Sequence, residues 1–132
     1  MSNDQIIQAA AQARLNAYAP YSGFKVGAAV LTGAGAIFTG CNVENASLGV
    51  TICAERAAVA AAIAAGQSDL IAIAIVADAP QPAMPCGACR QVIAEFNPSI
   101  RIIASTTQNE QQEFLLTDLL PLANQGLPSK NV

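Results

Sequence analysis

The stretch "LIAIAIVA", Leu70 to Ala77, is a continuous apolar run with no polar alternation. A strand with one face in water alternates apolar and polar side chains, so this run predicts a strand buried on both faces. Such strands sit in the middle of a sheet. Its neighbours supply the covering layers. Upstream, the alanine-rich segment from about Cys53 to Ala65 reads as a helix closing at Gly66. Downstream, Pro80, Pro82 and Pro85 mark a loop, after which Cys86 to Phe96 suits a helix ended by Asn97-Pro98. "IRIIAS", Ile100 to Ser105, reads as another strand, with a weaker one near Glu113 to Leu116. Leu119-Leu120-Pro121 reads as a short turn of helix before a loose tail.

Earlier in the chain, "FKVGAAVLTGAGAIFTGCNV" (Phe24 to Val43) gives two β-type runs, Val26 to Thr32 and Ala36 to Val43, joined by Gly33-Ala34-Gly35. Before it, Ser2 or Asn3 can cap a helix through about Tyr18, stopped by Pro20. Ile6, Ile7, Ala10, Ala11, Arg14 and Leu15 form its apolar stripe. Helix, hairpin, helix, strand, helix, strand predicts an α/β fold, a three-layer α/β/α arrangement around a central mixed sheet. A single domain over residues 1–132 is expected.

Hydrophobic residues make up 53% of the chain and charged ones 11%. That leaves too little polar side chain to cover a small monomer, and predicts apolar surface buried between subunits. A net charge of -3, a pI near 4.6 and the lack of a Lys/Arg cluster argue against a polymeric nucleic-acid partner. No run approaches the roughly 18 apolar residues of a membrane span. The start "MSNDQIIQAAAQARL" lacks the pattern of a secretory signal. A soluble, cytoplasmic protein is expected.

"PCGACR", Pro85 to Arg90, is a C-x-x-C at a helix start. It suits either a redox pair cycling between dithiol and disulfide or two thiolates on one zinc ion. A third cysteine, Cys53, opens the other predicted helix, and a two-residue redox switch has no use for it. Zinc does, because three protein ligands plus water is the arrangement of a catalytic site. The chain has no histidine, so such a site must be built from thiolates and carboxylates. A closed structural site would need a fourth ligand. Cys41, inside the strand pattern "IFTGCNV", reads instead as a small hydrophobe. Glu55, two residues after Cys53, suits a base leaning over an open metal face. By itself it would read as a carboxylate favourable to a helix N-terminus.

These motifs, "AYAPYSGFKVGAAV", "GCNVENAS", "CAERAA", "PCGACRQVI" and "LLP" in that order, resemble the small homotetrameric zinc-dependent cytidine deaminases. The resemblance implies Cys53, Cys86 and Cys89 as Zn²⁺ ligands and Glu55 as the catalytic proton carrier. It also implies Arg56 as the cation that hydrogen-bonds a ligand sulfur and offsets three thiolates. Substrate binding is implied at Phe24, packed on the pyrimidine, at Ala54, and at Asn42 and Glu44 on the ribose. Without the resemblance, Phe24 reads as core, "NVEN" as a polar strand end and Arg56 as a solvated helix residue. The implied reaction is hydrolytic deamination of cytidine and 2′-deoxycytidine in pyrimidine salvage, with a small nucleoside as partner and a homotetramer as assembly. Leu48, Met84 and the aromatic-free "LLPLANQGLP" depart from the family's usual residues. They suggest a roomier pocket that accepts N4- or C5-modified cytidines. Arg90 reads as structural or interfacial.

Overall fold

The computed structural model describes residues 3–130. It runs α1 (Asn3–Arg14), β1 (Val26–Thr32), β2 (Ile37–Cys41), a 3-10 turn at Leu48–Val50, α2 (Ala54–Ala64), β3 (Leu70–Ala77), α3 (Gly87–Ala94), β4 (Arg101–Thr106), β5 (Gln111–Leu115) and α4 (Leu116–Leu119). The five strands form one sheet in the order β2-β1-β3-β4-β5. β3 pairs antiparallel with β1 and parallel with β4, so the sheet is mixed. All of β3 except Ile71 is buried, as an uninterrupted apolar run requires of a central strand.

Alternation along the strands assigns each side chain to one of two cores. Ala28, Val30, Ile73, Ile75 and Ile102 face one side, where they meet Ala54, Ala58 and Ala62 of α2 and Ile93 and Ala94 of α3. Ala29, Leu31, Ala72, Ala74 and Val76 face the other, against Ile6, Ile7 and Ala10 of α1. Three layers result, α/β/α as expected. Two glycines set how closely helix and sheet approach. A Cβ at Gly27 would stand 1.9 Å from the Ala10 carbonyl oxygen. At Gly40 it would stand 2.4 Å from the Ala58 nitrogen and 2.6 Å from the Ala54 oxygen. β2 thus presses directly on the first turns of α2.

Several element ends differ from expectation. α1 stops at Arg14 rather than near Tyr18, because the Tyr18 amide turns away to donate to the Asn42 carbonyl at 2.9 Å. Leu15, expected in the stripe, is 61% exposed. Ser2 lies outside the described residues. β2 ends at Cys41, and Val43 instead bridges Tyr18 and Ile52. The short C-terminal helix comes before Leu120, and the tail beyond it is tied to α3: Asn124 donates to the Ala94 carbonyl, and Lys130 pairs with Glu95 at 3.2 Å. Among the described residues no helix is long and apolar enough to cross a membrane.

Candidate active site

α2 and α3 lie on the same face of the sheet, and each begins immediately after a cysteine: Cys53 is the N-cap of α2 and Cys86 the N-cap of α3. The Cys53 and Cys86 carbonyls accept the first intrahelical bonds, from Ala57 at 3.0 Å and Arg90 at 2.9 Å. The Cys86 sulfur accepts from the Cys89 amide at 3.5 Å. Two helix N-termini therefore place positive partial charge beside thiols, which favours their ionised form. Arg90 locks this arrangement, donating from Nε to the Pro85 carbonyl at 2.8 Å and from Nη1 to the Leu119 carbonyl at 3.1 Å. Within the chain it ties the start of α3 to the end of α4.

The sulfurs of Cys53, Cys86 and Cys89 lie within 4.8 Å of one another, and Cys86 and Cys89 are 3.4 Å apart. Zinc with about 2.3 Å bonds and tetrahedral angles holds sulfurs roughly 3.8 Å apart, so the three stand close to a ligand set already. Cys41 is half-buried on β2, outside this group. Cys89 is buried, Cys53 half-buried and Cys86 exposed, and the convergence of the third thiol on the C-x-x-C pair suits a shared metal. Arg56 Nη2 donates to the Thr51 carbonyl at 2.8 Å and lies 3.6 Å from the Cys53 sulfur, while its Nε is buried with no partner among the described residues. The donor set fits a divalent soft-ligand metal with one position left open.

Electrostatics divides the cysteines. Burial, reinforced by the nearby Glu55 charge, pushes the Cys89 thiol far up. Burial also raises Cys86, but hydrogen bonds from Cys89 and the Ala88 amide outweigh it and hold that thiol below its ordinary value. Metal entry must therefore displace a proton from Cys89, and acid should weaken binding. Glu55 is 6% exposed, and burial raises its carboxyl, opposed by its own amide, Cys89 and Arg56. A carboxyl so placed takes up and gives away a proton closer to neutrality than an exposed one does.

Beside this corner lies a cavity of about 250 Å³ lined by Phe24, Val26, Asn42, Thr51, Cys53, Ala54, Glu55, Ile75, Ala83, Met84 and Cys86. Its size is near the small end of the roughly 300–1,000 Å³ range of small-molecule sites. Larger hollows of about 530 Å³ along the strand ends at Asp78, Thr106 and Glu110 contain none of the cysteines. Phe24, Asn42 and Ala54 thus share one space with the metal corner. Glu44 does not line it. That carboxylate is bound by the Tyr21 and Ser22 amides at 3.0 and 3.1 Å and by the Ser22 hydroxyl. The Ser22 hydroxyl bond, opposed by burial and aided by the two amides, holds it below the ordinary carboxylate range. Asn42 is held as firmly: Oδ1 accepts from the Val26 amide at 2.9 Å and Nδ2 donates to the Phe24 carbonyl at 2.8 Å.

Sequence reasoning missed Val26, Thr51, Ile75 and Ala83 in the lining, and Ser22 behind it. Small and apolar residues carry no chemical signature, and the cavity that reveals them is assembled from five separate segments. Leu48 is 76% exposed and lies outside the lining, whereas Met84 is part of it.

The model of the cytidine and deoxycytidylate deaminase zinc-binding region matches residues 1–106. The chain is 48% identical over 122 residues to the cytidine deaminase of Halalkalibacterium halodurans, covering 92% of each chain. It is 46% identical over 112 residues to that of Mycobacterium tuberculosis, covering 85% of this chain and 81% of the relative. Among solved structures, cytidine deaminase from Burkholderia pseudomallei matches with a TM-score of 0.89 and 48% identity, over 92% of this chain and 98% of that one. The enzyme from Bacillus anthracis, at 17% identity and a TM-score of 0.71, shares the fold.

Proposed function

The chain belongs to the cytidine and deoxycytidylate deaminase family of zinc-dependent hydrolases, and from that premise we propose that it converts cytidine and 2′-deoxycytidine to uridine and 2′-deoxyuridine, releasing ammonia in pyrimidine salvage. The observation that carries this reading is convergence: three cysteine sulfurs and the buried Glu55 meet at one end of a cavity whose wall carries Phe24 and Asn42.

Cys53, Cys86 and Cys89 would hold the zinc. When bound, it supplies the Lewis acidity that makes water a nucleophile near neutral pH. Glu55 receives the attacking water's proton and delivers it to N3 of cytosine as C4 becomes tetrahedral; it then takes the second proton from the new C4 hydroxyl and passes it to the amine, so that the C4–N bond breaks as the carbonyl forms. Arg56, against the Cys53 sulfur, offsets the excess negative charge of three thiolates. Phe24 covers the pyrimidine, and Ala54, in the first turn of α2, bounds its edge.

Hydrogen-bonding capacity supports acceptance of both sugars. Asn42 has used one amide hydrogen and one oxygen lone pair, and Glu44 has accepted three bonds of about four available. One donor on Asn42 and one acceptor on Glu44 match a single hydroxyl, and the 3′-hydroxyl is common to ribose and 2′-deoxyribose. The exposed apolar residues Tyr18, Val43, Leu48, Val50 and Ile52, joined in part by the bridges at Val43, support burial against another copy, in a cytoplasmic homotetramer. A second reading keeps the chemistry on N4- or C5-modified cytidines. The small Ala83 and flexible Met84 in the lining favour it.

Loss of near-ultraviolet absorbance by cytidine, 2′-deoxycytidine and N4-methylcytidine tests these readings. The first two should be deaminated, with activity lost to a chelator and restored by zinc. Inactivity of the zinc-loaded protein on cytidine overturns the proposal. Inactivity on N4-methylcytidine removes the second reading for that position.

A further inference from the structure

The segment that carries Phe24 is tied to the rest of the site through one exposed serine. The Ser22 hydroxyl donates to Glu44 Oε2 and accepts from the Phe24 amide at 3.0 Å. Gly23, between them, has φ +71, the left-handed conformation that lets the chain fold back over two residues and that other side chains adopt reluctantly. The Gly23 amide in turn donates to the Ala19 carbonyl at 2.9 Å. On the far side of the ring, Asn42 Nδ2 holds the Phe24 carbonyl. Both peptide groups flanking Phe24 are therefore fixed by side chains, one by Asn42 and the other by Ser22.

A hydroxyl offers one donor and two acceptor positions. Ser22 commits its donor to Glu44 and one acceptor to Phe24, which leaves it no stronger role of its own in contact with a ligand. We propose that Ser22 is a positioning residue, whose single hydroxyl sets the sugar-side carboxylate of Glu44 and the ring of Phe24 at a fixed spacing. The spacing matters because a single bound conformer of the nucleoside, with its glycosidic torsion and sugar pucker set, has one distance between its base and its 3′-hydroxyl. If the two contacts drift independently, the ligand satisfies one at the expense of the other. The inference rests on the nucleoside reading above for its kinetic consequences, though the hydrogen bonds themselves do not depend on it.

Because Ser22 and Phe24 are exposed and Glu44 is only half-buried, water can replace the lost bonds, and removing the hydroxyl should alter binding far more than folding. The test compares Ser22→Ala and Ser22→Thr, each alone and combined with Phe24→Ala, in the zinc-loaded protein. Ser22→Ala should raise KM for cytidine about tenfold with kcat changed by less than about twofold. Ser22→Thr, which keeps the hydroxyl, should restore KM. In the Phe24→Ala background the further effect of Ser22→Ala should shrink to below about twofold, because the two act as one unit. A second readout needs no turnover: amide hydrogen exchange over residues 19–26 should quicken about tenfold at Phe24 in Ser22→Ala. If the wild-type protein fails to deaminate cytidine, the function reading falls while the exchange measurement still decides this one. An unchanged KM in Ser22→Ala, failure of the threonine to rescue, full additivity with Phe24→Ala, or unaltered exchange would each overturn the proposal. Should Ser22→Ala not fold, Ser22→Cys, which keeps the size but weakens both bonds, is judged by the same two measurements.

Discussion

The two walls of the cavity are held by different forces. The cysteine wall stands on two helices whose inner faces belong to the main core, and Ala54, Glu55 and Cys89 are all buried. The opposite side rests on a more exposed segment: Asn42 is buried and Val26 half-buried, but Tyr21 and Phe24 are 58% and 42% accessible, and the segment is fixed by hydrogen bonds with Asn42, Glu44 and Ser22. Chemistry that needs sub-ångström placement of a proton carrier stands on packed elements. On the function proposed above, recognition of the nucleoside falls to a polar-tied loop, which can admit and release ligand by breaking bonds that water replaces.

If that contrast is right, changes to the packed wall should alter chemistry or metal affinity, and changes to the loop wall should alter binding. The largest effect belongs to Glu55→Gln, expected to lower kcat about 10³-fold with zinc retained. The same variant should stabilise the metal-free protein by about 1 kcal/mol, because burying an ionised carboxylate is costly. The sign follows from the raised carboxyl: folding favours its protonated form, so the cost is present where Glu55 is ionised and disappears as pH falls below the ordinary carboxylate range. Calorimetry showing a destabilised Gln variant at neutral pH would break this account of the wall. Next, Arg56→Gln should weaken zinc binding about 10- to 100-fold, measured by competition with a chelator, and an unaltered affinity would make the arginine a bystander.

The smallest effect lies on the loop wall. Glu44 is held below the ordinary carboxylate range, first by the Ser22 hydroxyl. Its ionised form is therefore favoured by folding, and its contribution is complete above the unfolded carboxylate value and lost as pH falls through the lowered folded one. KM for cytidine should stay flat above that window and rise a few-fold below it. Glu44→Gln should erase that inflection; its persistence would assign it to another group.

Legibility followed the same division. β1 and β3 occupy the residues expected from apolar continuity and turn glycines, because burial leaves a direct mark on composition. The cysteines were legible as well, since thiols at two helix starts are rare and chemically distinctive, and the sulfurs do converge. Helix ends were less so. α3 stops at Ala94, short of Phe96, where the last turn tightens and the Phe96 amide reaches only three residues back to the Ile93 carbonyl, while the Asn97 side chain donates to the Leu70 carbonyl, a contact between segments far apart in sequence. Ser22 was invisible for the same reason. Its partner Glu44 is brought to it by the hairpin, and no local pattern in "YSGF" announces the bond.

Gly40 has an evolutionary consequence. The backbone of β2 touches the α2 residues that flank Glu55, where even a methyl group would collide with the Ala54 oxygen and the Ala58 nitrogen. Any larger residue there acts as a wedge, backing Cys53 and Glu55 away together from Cys86 and Cys89 without entering the cavity. A descendant could thus keep this scaffold and shed its chemistry through one remote codon, leaving every reactive side chain in the sequence as a misleading relic.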